Sequence, residues 1–291
     1  MKVAVVGANG QLGSDVLSVF TDRGDQVIPM NHSDLELSNL ESVRSCLEAA
    51  GAEIVVNTAA MHHVDRCEQE PEKAFAVNAM GARHLAVVTR DMGAVLVHIS
   101  TDYVFDGVKG QPYVEEDAPV PLNVYGNSKL AGECFVRTIN PRHFVLRTSA
   151  LYGAHPCRAK GGRNFVELML KLGRERGRVR VVADEFVSPT ATLDVARQIR
   201  ALADCSAYGL YHATAEGSCS WHEFAQKIFA AAGMAVPVDV ADSSEFAGKV
   251  PRPHYSVLEN RRLKTTGLNT FRPWEIGLAE YLNATADVHS N

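Results

Sequence analysis

Residues 2–16 read KVAVVGANGQLGSDV: a short apolar run, glycines at Gly7, Gly10 and Gly13, then a stretch with helical spacing that continues to about Arg23. An apolar run without polar alternation is the mark of a strand buried on both faces, as in a parallel sheet. Strand, glycine turn and helix in this order bring bare backbone and the free N–H groups of a helix start up to a pyrophosphate. Gly7, Asn9, Gly10, Gln11, Leu12 and Gly13 are therefore the candidate dinucleotide loop. A second strand at Gln26–Met30 and a third at Ile54–Asn57 extend the pattern, and the chain reads as a doubly wound α/β protein built on a parallel Rossmann sheet.

The bulk numbers agree with a small-molecule enzyme. The 291 residues are 46% hydrophobic, enough for a sizeable core. A net charge of −5 with dispersed Lys and Arg argues against nucleic acid as a partner. Nothing approaches a membrane-spanning run, and the N-terminus enters a strand directly, so a cytoplasmic protein is expected. The six cysteines form no CxxC pair, which predicts reduced, mostly buried thiols and neither a disulfide framework nor a zinc knuckle.

The chemistry is concentrated in STDYVFDG (100–107) and LNVYGNSKLAGE (122–133). Tyr125 and Lys129 are four residues apart, on one face of a helix's first turns. A free tyrosine keeps its proton to about pH 10, so one that exchanges it near neutrality needs a cation beside it, which Lys129 is placed to supply. Thr101 follows the apolar run Ala94–Ile99, where a hydroxyl faces the crevice of an open α/β sheet. Thr101, Tyr125 and Lys129 can converge on one carbonyl oxygen. A Tyr and a Lys at this spacing also occur on ordinary amphipathic helices; the nucleotide loop at the front of the chain favours the chemical reading.

Through GANGQLG (7–13), NTAA (57–60), STDYVFDG, NVYGNSKLAGE, RTSALYG (147–153), NFVELML (164–170), SPTATLDVA (188–196), YHATAEGSCSWHEFA (211–225) and RPHYSVLEN (252–260), the chain resembles the dTDP-4-dehydrorhamnose reductase family of extended short-chain dehydrogenase/reductases. The resemblance covers nearly the whole chain. It implies a cofactor domain over residues 1–152, rejoined by a helix at about 190–206, and a nucleotide-sugar lobe from 153–189 and 207–291. The implied reaction is NAD(P)H-dependent reduction of the C4 ketone of a dTDP-6-deoxy-4-hexulose. Tyr125 would protonate the alkoxide, Lys129 hold the nicotinamide ribose, and Thr101 donate to the same oxygen. His32 stands where relatives often carry a basic residue, Glu36 with Leu37 matches the adenine position, and Ala59 and Ala60 are small enough for the dinucleotide to pass. Val64, Asp102, Tyr103, Asn164 and Arg252 are placed against the sugar nucleotide. For Asp102 a turn cap, and for Glu36 a solvated position beside Ser38 as helix N-cap, remain alternative roles; Ser256 reads as structural.

The chain also departs from the family. Asn31, His32 and Ser33 leave no acid for the adenosine ribose, which leans the cofactor to NADPH with NADH tolerated. Met61, His62 and His63 replace an aromatic and small residues; adjacent histidines diverge and no third ligand is suitably spaced, so a substrate-facing or exposed loop is expected there, with a metal as the lesser alternative. Ala150 replaces a tryptophan wall, which leaves the sugar open. Cations at Arg158, Lys160 and Arg163 suit either a diphosphate or solvent. Dehydratases of the superfamily carry a glutamate where this chain has Tyr103, so water elimination lacks its base. Some family members are magnesium-dependent homodimers with acidic ligands near the C-terminus; no such Mg2+ ligands can be assigned here. Two rival readings fit the same residues: a 4-ketoreductase or epimerase on another nucleotide sugar, and a non-catalytic regulatory subunit. Elsewhere, residues 71–92 are expected as one helix containing Asn78, a sixth strand at about His143–Arg147, Ser188 or Thr190 as cap of the following helix, and a last helix at Pro273–Leu282 with a frayed tail.

Overall fold

The computed structural model describes residues 1–156, 162–246 and 250–285. The chain opens with β1 (Lys2–Val6), α1 (Gln11–Asp22), β2 (Gln26–Met30), α2 (Leu40–Ala50) and β3 (Ile54–Asn57). It continues through α3 (Val64–Gln69), α4 (Pro71–Phe75), α5 (Gly81–Asp91), β4 (Val95–Thr101), α6 (Val124–Ile139) and β5 (His143–Thr148). Then come β6 (Leu151–Tyr152), α7 (Phe165–Arg176), β7 (Val179–Val182), β8 (Phe186–Val187), β9 (Thr190–Ala191) and α8 (Thr192–Ala203). Last are β10 (Gly209–His212), β11 (Cys219–Ser220), α9 (Trp221–Ala231), β12 (Val238–Ala241), α10 (Arg261–Thr265) and α11 (Trp274–Ala284).

Six strands form one sheet in the order β10-β5-β4-β3-β1-β2, every pairing parallel. The alternation within β1 shows why both faces are covered. Val3 and Val5 join a core with Leu12, Val16 and Ile199, while Ala4 and Val6 join one with Val43, Leu47 and Leu85. Strand order reverses between β1 and β3, so a crevice opens beyond their carboxyl ends. Helix α8 returns from the second lobe to pack on α1, as the family resemblance implies. The second lobe has its own core of Tyr152, Val166, Leu170, Phe224, Ile228 and Trp274, carried by β6, α7, α9 and α11. Asn164 with Glu167 and Ser220 with Glu223 form capping boxes that start α7 and α9.

Several expectations are corrected. Strand β10, assigned to the sugar lobe, pairs with β5 and so belongs to the central sheet. The strand at His143–Thr148 is the fifth, not the sixth. The helix over 71–92 contains a π-helical turn at Ala76–Met80, centred on Asn78. Ala191, which has no side-chain acceptor, is the N-cap of α8, while the expected caps are engaged elsewhere: the Thr190 hydroxyl donates to the Ser188 carbonyl and the Ser188 hydroxyl to the Gly217 carbonyl. Asn39, not Ser38, caps α2. Among the described cysteines only Cys67 and Cys219 are buried; Cys46 and Cys205 are half-buried and Cys134 is exposed. Cys157, Arg158, Lys160 and the C-terminal tail beyond residue 285 lie outside the described residues. Among the described residues, no helix is long and apolar enough to cross a membrane.

Candidate active site

A cavity of about 510 Å³ lies over the carboxyl ends of the strands and runs from the α1 glycine loop to the second lobe. The residues singled out in sequence line it almost without exception. Gly7, Asn9, Gly10, Gln11, Leu12, Gly13, His32, Glu36, Leu37, Ala59 and Ala60 form one end. Thr101, Asp102, Tyr103, Tyr125 and Lys129 form the middle, with Val64 and Asn164 beyond.

At the glycine end the backbone fits a pyrophosphate. A Cβ on Gly13 would stand 2.2 Å from the Gly7 carbonyl oxygen, so the first turn of α1 folds against the loop only with glycine there. Among the described residues no side chain caps α1, and its first turn carries no acid, so the helix start keeps its N–H groups and positive dipole end for an anion. Glu36 accepts hydrogen bonds from the Ser38 N–H and hydroxyl, at 3.0 and 2.8 Å, and these hold its carboxyl below the usual range. His32 is mostly exposed, 3.5 Å from Glu36.

Helix α6 delivers the chemistry. Asn123 caps it by accepting from the Gly126 N–H at 2.9 Å, which puts Tyr125 in the first turn. A Cβ on Gly126 would lie 2.2 Å from the Tyr103 carbonyl oxygen, and this close approach brings the Tyr125 and Tyr103 rings edge to face at 5.8 Å. The Tyr125 phenol and the Thr101 hydroxyl line the same cavity, near enough for the hydroxyl to act on the phenol. Lys129 is buried and its Nζ donates to the Ile99 carbonyl at 2.6 Å.

The charge states differ from the simplest expectation. Burial raises the Tyr125 phenol above its ordinary value, and the nearby Thr101 hydroxyl opposes this only in part. Burial also pushes the Lys129 ammonium down to about 8, with Glu133 pulling the other way. Lys129 thus does not lower Tyr125 in the protein alone, because desolvation outweighs every other influence on the phenol. For reduction this is a workable state, since an acid must hold its proton until the alkoxide forms.

Asp102 is a hub for hydroxyls. It is buried, and accepts from Thr101 at 3.0 Å, Ser149 at 2.8 Å and Ser256 at 2.6 Å. Burial raises its carboxyl, against these three bonds. One carboxylate therefore ties together the ends of β4 and β5 and the C-terminal segment. Ser256 has the structural place expected of it. Thr101 has a single proton, already directed at Asp102, so any donation from Thr101 into the cavity requires that bond to turn.

A family model for the RmlD substrate binding domain matches residues 1–286. The chain belongs to the dTDP-4-dehydrorhamnose reductase family. The spore coat polysaccharide biosynthesis protein SpsK of Bacillus subtilis (strain 168) is 40% identical over 281 residues, covering 97% of this chain and 96% of that protein. A dTDP-4-dehydrorhamnose reductase of Streptomyces griseus is 39% identical over 284 residues, 95% of this chain and 91% of that one. The crystal structure of the Bacillus anthracis dTDP-4-dehydrorhamnose reductase in complex with NADP superposes with a TM-score of 0.93 at 40% identity, covering 98% and 100% of the two chains.

The positions that depart from this reductase family are resolved by the geometry. His62 lines the cavity while His63 turns away to cap α3, accepting from the Arg66 N–H at 3.3 Å. Among the described residues, no group of three or more His, Cys, Asp or Glu side chains could hold a metal ion. On the C-terminal helix, Glu280 is paired with Arg272 at 2.7 Å and with Arg197 at 3.2 Å. Arg252 is not among the lining residues; its guanidinium lies 3.5 Å from Asp65. Asn164 does line the cavity, but its side chain caps α7 and donates to the Gly153 carbonyl at 3.0 Å.

Ala150 lines the cavity with φ +44°, the one non-glycine left-handed residue among those described. Aromatic surface comes instead from the second lobe, where Phe165 and Trp221 face the cavity with ring centroids 4.6 Å apart. In the sequence, Trp221 stands only as one residue of the YHATAEGSCSWHEFA motif. An aromatic at the first helical position, directly after a serine cap, was the available signal.

Proposed function

We propose that this chain reduces the C4 ketone of a dTDP-6-deoxy-4-hexulose, converting dTDP-4-dehydrorhamnose to dTDP-L-rhamnose, at the expense of a nicotinamide dinucleotide, with NADPH preferred over NADH. The observation that carries the reading is the Tyr125, Thr101 and Lys129 cluster at the end of β4, in the same cavity as the α1 glycine loop. The relatives' names supply the substrate class.

Gly7, Gly10 and Gly13 would hold the pyrophosphate, and Lys129, with two ammonium protons left after its bond to Ile99, would hold the nicotinamide ribose. When bound, the reduced nicotinamide supplies the hydride that adds to the carbonyl carbon. Tyr125 gives its proton to the carbonyl oxygen as negative charge develops there, so one hydride and one proton make the alcohol. Thr101 turns its proton from Asp102 to the same oxygen, and Asp102 keeps the Ser149 and Ser256 bonds while it does so. Phe165 and Trp221 offer the flat apolar faces for the sugar nucleotide that Ala150 does not.

The coenzyme preference rests on residues 31–33, which present no carboxylate to repel a 2′-phosphate, and on the exposed His32. A panel of nucleotide 4-ketosugars assayed for NADPH and NADH consumption tests both parts. The dTDP-6-deoxy-4-hexulose with NADPH is expected to give the highest kcat/KM. A higher value with another nucleotide sugar would favour the rival ketoreductase, and a strong NADH preference would remove the coenzyme argument.

A further inference from the structure

Gln11 belongs to the candidate dinucleotide loop, yet its side chain has no part in the reduction described above, which uses the glycine backbone. It is the first residue of α1 and lines the cavity. Its amide points out of the loop. Nε2 donates one proton to the Gly153 carbonyl and the other to the His155 carbonyl, each at 3.0 Å, so both amide protons are engaged. These carbonyls follow β6, on the stretch that carries the chain from the central sheet to the second lobe.

The Gly153 carbonyl also anchors the second lobe. Asn164 Nδ2 donates to it at 3.0 Å, while Asn164 Oδ1 accepts from the Glu167 N–H at 3.1 Å and so caps α7. One oxygen, with two lone pairs, thus takes a proton from the helix that opens on the glycine loop and another from the cap of the helix that opens with Phe165. Gly153 is fixed from the side of α8 as well. A Cβ on it would stand 1.9 Å from Thr192 Oγ1 and 3.1 Å from Gln11 Cγ, so its main chain is wedged between the two. Thr192 in turn donates to Asp15 Oδ2 at 2.5 Å, and Asp15 Oδ1 lies 3.7 Å from His155 Nε2. Residues 153–155 are therefore seated on α1 and α8.

We infer that Gln11 is a positioning residue that acts through Gly153: its amide ties the start of α1 to the carbonyl that seats the α7 cap, so that occupation of the coenzyme site favours occupation of the sugar-nucleotide site. The inference rests on the reading of this cavity as the place of both ligands. Its physical step is a choice between two surroundings for one long side chain. Without coenzyme, the Gln11 amide can exchange its two carbonyls for water in the cavity that it lines. A dinucleotide on the start of α1 displaces that water and leaves the carbonyls as the partners of the amide. The entropy of ordering the glutamine and residues 153–155 is then met by the first ligand and not again by the second. Asn164 and the first turn of α7 are already in place when the sugar nucleotide arrives. Linkage makes the effect equal in both directions.

Gln11→Met keeps the length of the side chain, removes both donors and leaves the main-chain N–H groups of the loop in place. The affinity for dTDP is measured by calorimetry with and without saturating NADP+. In the wild type NADP+ is expected to tighten dTDP binding about fivefold or more, and in Gln11→Met the ratio should fall to within about twofold of one, whatever each affinity does alone. An equal ratio in the two proteins, or no coupling in the wild type, would overturn the inference. Loss of all NADP+ binding in Gln11→Met would place the amide on the coenzyme itself and also overturn it. His155→Ala removes the imidazole beside Asp15 and leaves the carbonyl that Gln11 uses, so its ratio should stay that of the wild type. A loss as large as in Gln11→Met would assign the effect to general loosening of residues 153–155, against the inference. Should Gln11→Met fail to fold, Gln11→Ala removes the same donors and is expected to show the same ratio. A second readout needs no sugar nucleotide. Amide hydrogen exchange over residues 164–168, in the first turn of α7, should slow when NADP+ binds the wild type and stay unchanged in the variant; equal slowing in both would contradict the role of Gln11. Failure of dTDP to bind any of these proteins would defeat the sugar-nucleotide reading, and the exchange in α7 would still decide on Gln11.

Discussion

Replacing Tyr125 with Phe should lower kcat by about 10² to 10⁴ while leaving dinucleotide affinity within a few-fold of wild type. The substitution removes one oxygen and keeps the ring, which packs edge to face on Tyr103. The loop that would hold the pyrophosphate is made by β1 and α1, on a different part of the cavity wall, so binding should survive. Thr101 would keep its bond to Asp102. Steady-state turnover, together with titration of NADPH binding by fluorescence, separates the two effects. Wild-type turnover in this variant would remove Tyr125 as the acid. A parallel loss of binding would mean that the phenol holds the cofactor instead of the proton.

Gly13→Ala should show the opposite division. Its new methyl would stand 2.2 Å from the Gly7 carbonyl oxygen, 2.9 Å from the Gly7 carbonyl carbon and 3.0 Å from the Ala8 Cα, all of them backbone atoms that no rotamer change can move aside. Overpacking of this kind costs about 1–3 kcal/mol. Here it falls on the loop whose shape defines the pyrophosphate site. NADPH affinity should weaken by roughly tenfold or more, with a lowered Tm, while kcat at saturating coenzyme falls far less. Unaltered NADPH affinity would show that the dinucleotide does not lie on this turn.

Much of the fold could be read from β1. Its unbroken apolar run required cover on both faces, and Gly13 required a helix to start against the loop; these two facts led to a doubly wound sheet. Periodicity does not say which sheet a short strand joins. The four residues of β10 have the same apolar character whether they pair with β5 or within the second lobe, and only the packing of the complete chain decides. The π-helical turn at Asn78 was hidden for a related reason, because one wider turn barely disturbs the apolar spacing of the helix around it.

The candidate site was legible in its membership more than in its electrostatics. Spacing placed Tyr125, Lys129 and Thr101 together, and the structure brings them into one cavity. Spacing could not say that Lys129 would be buried deeply enough to lose much of its basicity, nor that Asp102 would claim the Thr101 proton. Both depend on what surrounds a side chain on every side. Trp221 and Phe165 were missed because they come from a lobe whose docking over the sheet no local pattern encodes. Arg252, expected against the sugar nucleotide, is paired with Asp65 at the start of α3, an outcome that depends on the approach of two segments far apart in sequence.

The most direct measurement of the central claim follows the hydrogen itself. The purified protein would be incubated with dTDP-4-dehydrorhamnose and NADPH carrying deuterium on the transferable position of nicotinamide C4, and the product examined by NMR and mass spectrometry. The account requires dTDP-L-rhamnose with one deuterium on the sugar C4, formed at a rate that collapses in Tyr125→Phe. Product without deuterium at that carbon, or no product from a folded protein that binds NADPH, would contradict it.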